Sequence, residues 1–297
     1  MRFDVYTPLV LSLLLSVIGP LIAGRVAPAL AARVLTSAAV LTAAATTWSL
    51  VLLAAALLGD APPVIREARE DGHPVTAPVP EAIGLAACLA LVLIAVRVYR
   101  AVHAERRTRR ALRRLCAGHP ADTELIVAAS EVAQAFAIPG RPGRILVTSA
   151  MLRALGPAER RALLAHERAH LAHRHGPLVM AATLAAAADP LLGPARRAVG
   201  FLVERWADEQ AAATVGDRRT TARALARAAL SAGGARTTCA LHFTDRAVTR
   251  RIAALQTGPP PRLWPAAAAV LLLGTLSALL AADATGDLLR QLSGVLI

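Results

Sequence analysis

Residues 157–174 read PAERRALLAHERAHLAHR, and this stretch decides both the local fold and the chemistry of the chain. Pro157 suits the first turn of a helix, because the N–H that proline lacks would have no partner there. Glu159 complements the positive end of the same helix. The pattern therefore predicts a helix over residues 158–174.

Two histidines of this helix can bind one metal ion. His166 and His170 are four residues apart, so their rings project from the same face, and Glu167 lies beside them on the same turn. Neutral imidazoles are common Zn²⁺ ligands, and a glutamate at this position takes a proton from metal-bound water. We predict one Zn²⁺ per chain, with Glu167 as general base. The competing interpretation is the polar face of a surface helix.

A catalytic zinc ion needs a third protein ligand and an open position for water. The metzincin class would have a glycine and a third histidine where this chain has His173 and Gly176, so that class is excluded. The gluzincin class takes a glutamate from a later helix, and the segment ERWAD offers Glu204. Asp208, one turn further on, can accept the N–H of a ligating histidine. Glu209 is the alternative ligand, but it has no partner four residues on.

The composition indicates a membrane protein. The mean hydropathy is +0.51 and 56% of residues are hydrophobic, which is too apolar for an ordinary cytosolic protein. A bilayer-spanning helix needs roughly 20 mostly apolar residues. Four segments poor in charge approach this length: 6–24, 34–59, 82–98 and 265–282. We therefore predict four transmembrane helices.

The predicted spans divide the chain into three parts. Residues 1–98 form a three-helix transmembrane region, and residues 264–297 form the fourth span with a short tail. Residues 99–263 are the only soluble-sized region, and they hold the polar motifs. A short predicted strand, Arg144–Thr148, lies among predicted helices there, so the fold class is mainly α, with an α+β domain between the third and fourth spans.

The charge pattern predicts the orientation. The net charge of +13 is carried by arginine, and no helix-turn-helix or zinc-finger pattern accompanies it, so we expect no specific nucleic-acid partner. Residues 97–114 contain eight arginines and one acid, whereas residues 60–81 contain five acids and two arginines. Basic loops stay in the cytoplasm. This places the N-terminus outside and residues 115–263 inside the cell, in a multi-pass protein of the cell membrane.

The chain resembles the integral-membrane gluzincin metallopeptidases of the BlaR/MecR type, whose catalytic domain is related to the HtpX family. The matching pieces, in order, are AFAIPG at 135–140, RILVTS at 144–149, LRAL at 152–155, ERRALLAHERAH at 159–170 continuing to His175, and ERWAD at 204–208. The resemblance implies an HExxH zinc peptidase that cleaves a polypeptide at or near the cytoplasmic membrane face.

The resemblance also implies a place for the substrate. Arg144, Ile145, Leu146, Val147 and Thr148 would form an edge strand whose free backbone groups pair with an extended peptide. The alternative is an edge strand that only completes a small sheet.

Three further histidines are not assigned as metal ligands. His242, an isolated histidine downstream, is a candidate for stabilising the oxyanion, against a purely structural role. We interpret His173 and His175 as polar surface residues or as supports of the ligands.

An apolar run at 177–188, ended by Asp189 and Pro190, is too short to cross a bilayer. We predict a buried or membrane-grazing helix. Together with residues 191–203 it would form a hairpin that returns Glu204 to the histidines.

The leading hypothesis is a membrane zinc endopeptidase acting on a protein or peptide, with a transcriptional repressor or a membrane protein as substrate. The second hypothesis is a non-catalytic signalling module that the same zinc site stabilises. A third, weaker one is a transporter or structural bundle with metal-binding histidines. Signalling members of the BlaR/MecR type carry an external sensor domain. Because few residues follow the last span, we expect none here.

Overall fold

A computed structural model of the chain describes residues 7–23, 25–59, 80–120, 122–232, 241–258 and 263–296. The helices are α1 (Thr7–Ala23), α2 (Pro28–Gly59), α3 (Glu81–Leu115), α4 (Ser149–Ala154), α5 (Pro157–Ala172), α6 (His175–Ala188), α7 (Gly193–Val215), α8 (Arg218–Ala232), α9 (Leu241–Gln256) and α10 (Trp264–Leu296). The strands are β1 (Leu125–Ala128), β2 (Ala135–Ile138) and β3 (Arg144–Thr148). The described residues are therefore mostly helical with one small sheet, as the predicted fold class has it.

The three strands form one sheet in the order β1-β3-β2, with β1 parallel and β2 antiparallel to β3. The prediction that Arg144–Thr148 is an edge strand is therefore wrong. This strand is central, and its backbone pairs on both sides. It is also the most buried of the three, since Ile145 and Val147 are fully enclosed. A strand covered by neighbours on both sides has no free backbone groups to offer a peptide.

Three helices in the described part of the chain are long and apolar enough to cross a membrane: Pro28–Ala55 within α2, Glu81–Leu115, and Trp264–Asp283 within α10. Four spans were predicted, and the first of them corresponds to α1, which has 17 residues. The first predicted span, at residues 6–24, therefore stays a prediction. Helix α3 leaves most of its apolar side chains exposed, Leu89 and Val92 among them. Such a continuous apolar surface is typical of a helix in contact with lipid.

The hairpin of α6 and α7 packs against the bundle of apolar helices. One hydrophobic core joins Leu15 of α1, Leu35 of α2, Ala185 of α6, Leu202 of α7 and Val270 of α10. The run at 177–188 is thus a helix whose C-terminal half is buried, and α7 leads back from its end to Glu204. The spans and the hairpin share a single core.

A buried carboxylate holds the tip of this hairpin. Asp189 is only 2% exposed. Its Oδ2 accepts hydrogen bonds from Ser12 Oγ of α1, at 2.6 Å, and from Thr46 Oγ1 of α2, at 3.2 Å. Its Oδ1 accepts the backbone N–H of Leu191 at 3.1 Å. The tip is therefore tied to two helices of the bundle.

The C-terminal end of α6 receives a second tie, from α3. Arg97 Nε donates to the carbonyl of Ala187 at 2.9 Å, and Arg97 Nη2 donates to the carbonyl of Ala186 at 3.2 Å. The last carbonyls of a helix have no partner within the helix, and a cation near that end also stabilises the helix dipole. Arg97 meets both needs at once.

The start of α5 is fixed by Glu159. Its Oε2 accepts the N–H of Gly156 at 2.9 Å and the Nη1 of Arg227, from α8, at 2.8 Å. Burial raises the pKa of Glu159, but these two hydrogen bonds outweigh the burial and lower the pKa below its ordinary value. The helix that carries His166 is thus anchored at its first turn.

We expect Glu159→Gln to lower the free energy of unfolding of the detergent-purified protein by about 1 kcal/mol at pH 7. Because the folded state lowers this pKa, the stabilisation is present above the ordinary value of 4.5 and disappears as the pH falls through the folded value. Thermal unfolding from pH 7 down to pH 4 measures the difference. Glu131→Gln, which breaks an exposed pair with Arg153, is the control and should have little effect. An equal loss in both variants would contradict this reading.

Candidate metal centre

Helices α5 and α7 lie side by side and bring three predicted ligands together. His166 Nε2 and His170 Nε2 are 3.1 Å apart. The carboxylate of Glu204 lies 3.5 Å from the first of these nitrogens and 3.6 Å from the second. Ligands bound tetrahedrally at zinc's usual bond lengths are about 3.3 Å from one another. The three side chains therefore fit the ligand set of one metal ion.

Asp208 lies behind His166, as its spacing from Glu204 predicts. Its Oδ1 is 3.0 Å from His166 Nδ1, so that N–H donates to the carboxylate and Nε2 remains for a metal. Burial would lower the pKa of His166, but the hydrogen bonds to Asp208 and Glu204 outweigh it and raise the pKa to about 9. The two carboxylates thus stabilise positive charge at this ring.

Arg251 of α9, which no sequence motif indicated, completes the cluster. Its Nε and Nη2 donate to the two oxygens of Asp208, both at 2.7 Å, and its Nη1 donates to Glu204 Oε2 at 2.9 Å. Burial would raise the pKa of Asp208 and of Glu204. Bonds to Arg251 and His166 outweigh that effect and lower both. Both carboxylates are therefore held ionised.

Glu209, the alternative ligand, points elsewhere. Its carboxylate makes a bidentate pair with Arg218 of α8 and takes no part in the histidine cluster. Of the two carboxylates considered, the geometry favours Glu204.

Glu167 is buried beside the histidines, with 7% of its surface exposed. Burial raises its pKa, and the charge of His166 with a hydrogen bond from the backbone N–H of Ala137 only partly offsets this. A carboxylate with a raised pKa accepts a proton more readily near neutral pH. Its environment is therefore suited to acid–base chemistry.

The edge strand next to the cluster is β2. The N–H of Thr148 in β3 donates to the carbonyl of Gln134 at 2.9 Å, which sets the alternation of the ladder. By that alternation the backbone groups of Ala135 and Ala137 point away from β3. The contact from Ala137 to Glu167 agrees with this direction. The edge strand whose free backbone groups face the site is thus β2.

His175 is buried next to His170, with 1% of its surface exposed, so of its two interpretations, surface residue or support of a ligand, the structure supports the second. The Nδ1 atoms of the two rings are 3.0 Å apart. Burial is the main reason that the pKa of His170 is lowered to about 4 and that of His175 to about 3. Both rings are therefore neutral at physiological pH.

His242 lies in the first turn of α9, but its side chain is outside the described part of the structure. Its suggested role at an oxyanion stays a prediction.

The two imidazoles and the carboxylate define a candidate centre for a single transition-metal ion. The acid Glu167 lies beside them. Comparison with known families agrees with this class. The sequence model of the family described as Peptidase family M48 matches residues 100–188, less than a third of the chain, and this supports a metallopeptidase of that family. Members of the family are typically zinc-dependent.

The matched segment runs from within α3 through the sheet and α5 to the end of α6. It contains His166, Glu167 and His170 and ends before Glu204. No curated protein and no solved structure matches the chain. The finer resemblance to the BlaR/MecR type or to the HtpX family stays a prediction.

We expect Arg251→Met to lower the free energy of unfolding by about 3–5 kcal/mol, because it leaves the buried charge of Asp208 without its arginine partner. Arg250→Met, which loses only the stacking of an exposed arginine on Phe201, should cost less than about 1 kcal/mol. Denaturant unfolding of the metal-free protein in detergent measures both. Adding Asp208→Asn to Arg251→Met removes the unpaired charge and should restore part of the loss. Equal losses in the two single variants would contradict this account.

Proposed function

We propose that the chain is a membrane-embedded zinc-dependent endopeptidase that hydrolyses peptide bonds of a protein substrate at the cytoplasmic face. The observation that carries the proposal is the convergence of His166, His170 and Glu204, with all three donor atoms within 4.8 Å of one another. The buried acid Glu167 directly beside them supports a catalytic use of that cluster.

In the proposed site, His166 and His170 would bind zinc through Nε2 and Glu204 would bind it through its carboxylate. Bound zinc would supply a Lewis acid and a coordinated water with a pKa of about 7. Asp208 fixes the ring of His166 through Nδ1, and Arg251 holds Asp208 and Glu204 in place. The protein thereby fixes the two imidazoles and the carboxylate before any substrate arrives.

Glu167 is the proposed general base. It accepts a proton from the attacking water and delivers that proton to the nitrogen of the leaving amine, so no net proton is gained or lost at the residue. The backbone N–H of Ala137, in β2, stabilises the ionised form of its carboxylate. The general base thus lies beside the edge strand.

Strand β2 is the proposed support for the substrate, in place of β3. An extended peptide pairs with the outward-facing backbone of Ala135 and Ala137, as peptides do when they add to a sheet edge. Such pairing lays the peptide along the strand that contacts the general base. Because this pairing uses only backbone groups of the peptide, it does not select a particular substrate sequence.

The proposed topology follows from charge. Arginines at 97–114 keep that end of α3 in the cytoplasm, and the acidic segment at 60–81 faces outside. The N-terminus is then outside, and the peptidase domain of residues 99–263 is cytoplasmic, next to the bilayer. A repressor or a membrane protein would reach the site from that side.

The non-catalytic alternative, a signalling module held together by zinc, is separated from this proposal by Glu167. We expect Glu167→Gln to retain one zinc per chain and to lose cleavage of an unfolded protein such as casein by about 10²–10⁴-fold. Zinc content by mass spectrometry and fragment formation measure the two properties in the same sample.

Two further variants test the ligand set in the same assay. Glu204→Ala should lose both zinc and activity, since it removes the third ligand. Glu209→Ala is the matched control on the same helix and should retain both. A wild-type protein that holds zinc but cleaves nothing, with Glu167→Gln indistinguishable from it, would favour the signalling module.

Orientation is tested by labelling. In a chain freed of its own cysteines, we expect Gly72→Cys to react with a membrane-impermeant maleimide in intact cells and Asp122→Cys to react only after lysis. The reason is that positive segments are retained in the cytoplasm. Labelling of Asp122→Cys in intact cells would reverse the proposed topology.

A further inference from the structure

His175 is a buried histidine that the proposed reaction does not use. It is brought there by a sharp turn between α5 and α6 at Arg174, whose φ of 52° lies in the left-handed region. That conformation is unfavourable for a residue other than glycine, by roughly 1 kcal/mol or more. The turn directs the first residue of α6 back beneath the second histidine of α5.

The two rings meet through their Nδ1 atoms, 3.0 Å apart. The other nitrogen of His170, Nε2, is the one that lies near His166 and Glu204. An imidazole that ligates a metal through Nε2 is unprotonated there, so its one proton is on Nδ1. His170 must then donate, and His175 Nδ1 must accept.

This assignment fixes the tautomer of His175. If Nδ1 accepts, the proton of the neutral ring is on Nε2. In the described part of the structure His175 Nε2 is buried and has no hydrogen-bond partner. An unpaired buried nitrogen costs free energy, so the site retains His175 at that cost.

Aromatic packing holds His175 in this position. The ring of Trp206, from α7, lies 4.6 Å from that of His175 and 4.7 Å from that of His173. The guanidinium of Arg33, from the membrane helix α2, lies 4.6 Å from the centre of the Trp206 ring. His175 is thus packed by a residue of the same helix that carries Glu204.

We propose that His175 is a positioning residue that accepts the Nδ1–H of His170 and so keeps Nε2 of His170 unprotonated and correctly oriented for the metal. The inference rests on the proposed metal site. It gives each ligating histidine its own acceptor, Asp208 for His166 and His175 for His170. A neutral acceptor at the second position fixes the ring without adding a third negative charge to the site.

Two polar variants separate hydrogen bonding from packing. In asparagine the carboxamide oxygen is two bonds from Cβ, as Nδ1 is in histidine, so His175→Asn can keep the acceptor. In glutamine the carboxamide oxygen is three bonds from Cβ, as Nε2 is in histidine. His175→Gln therefore has no acceptor at the position of Nδ1. His173→Gln is the matched control, because His173 packs on the same tryptophan.

The measurement is zinc affinity of the full-length protein in detergent, by competition with a chromophoric chelator, and the visible absorption spectrum of the protein loaded with Co²⁺. We expect His175→Gln to weaken zinc binding about 10–100-fold and to alter the Co²⁺ spectrum. His175→Asn should recover most of the affinity. His173→Gln should match the wild type in both readouts.

Three results would overturn the inference: wild-type affinity in His175→Gln, an equal loss in His175→Asn, or an equal loss in His173→Gln. The last two would assign the effect to packing. Thermal unfolding of each metal-free variant shows whether the fold is kept. A wild-type protein that binds no zinc would instead contradict the proposed function itself, so the two failures are distinguishable.

Discussion

The buried carboxylate of Asp208 is the constraint on which the rest of the site depends. It joins His166 of α5 to Arg251 of α9, and it does so from α7, with hydrogen bonds of 3.0 Å or shorter on both sides. A charge enclosed by protein is stable only if its hydrogen-bonding positions are filled. The three helices therefore cannot separate without leaving at least one unpaired charge. That requirement sets the distance between the histidines and Glu204 before any metal is considered.

The same rule operates at the other end of the hairpin. Asp189 is enclosed among apolar helices, and hydroxyl groups of Ser12 and Thr46 fill its oxygen positions. Polar groups inside a bundle are costly and fix the register of the helices that satisfy them. The hairpin of α6 and α7 is thus fixed by polar contacts at both ends, one among the apolar helices and one at the candidate metal centre. The apolar packing between the two ends of the hairpin then does not have to fix its position.

Helical spacing was sufficient to predict the parts of the site that lie on single helices. His166 and His170 are four residues apart, as are Glu204 and Asp208, and the structure brings the two pairs together. The position of β3 was predicted, but its neighbours were not, because a short apolar strand looks the same at the centre of a sheet and at its edge. Strands β1 and β2 have only four residues each, too few for a clear alternating pattern.

Spacing could not find Arg251, and it left open whether His175 is a surface residue or a support of the ligands. Arg251 is 43 residues from Asp208, in a chain whose arginines are too many for any one to stand out. His175 follows the end of its helix, and only the left-handed turn at Arg174 brings it beneath His170. The composition predicted a membrane protein, yet which residues the hairpin would contact depends on tertiary packing. Contacts between residues far apart in the sequence produce no regular spacing that could reveal them.

The core shared by Leu15, Leu35, Ala185, Leu202 and Val270 bears on how the protein can be handled. The predicted boundaries at residues 98 and 263 are drawn where polar sequence begins and ends, but the apolar core does not divide there. A fragment trimmed to those boundaries would expose to water the hairpin surface that α1, α2 and α10 now cover. Biochemistry on this chain therefore calls for the intact polypeptide in detergent or nanodiscs. Excising residues 99–263 would remove the helices that form one wall of the core they share.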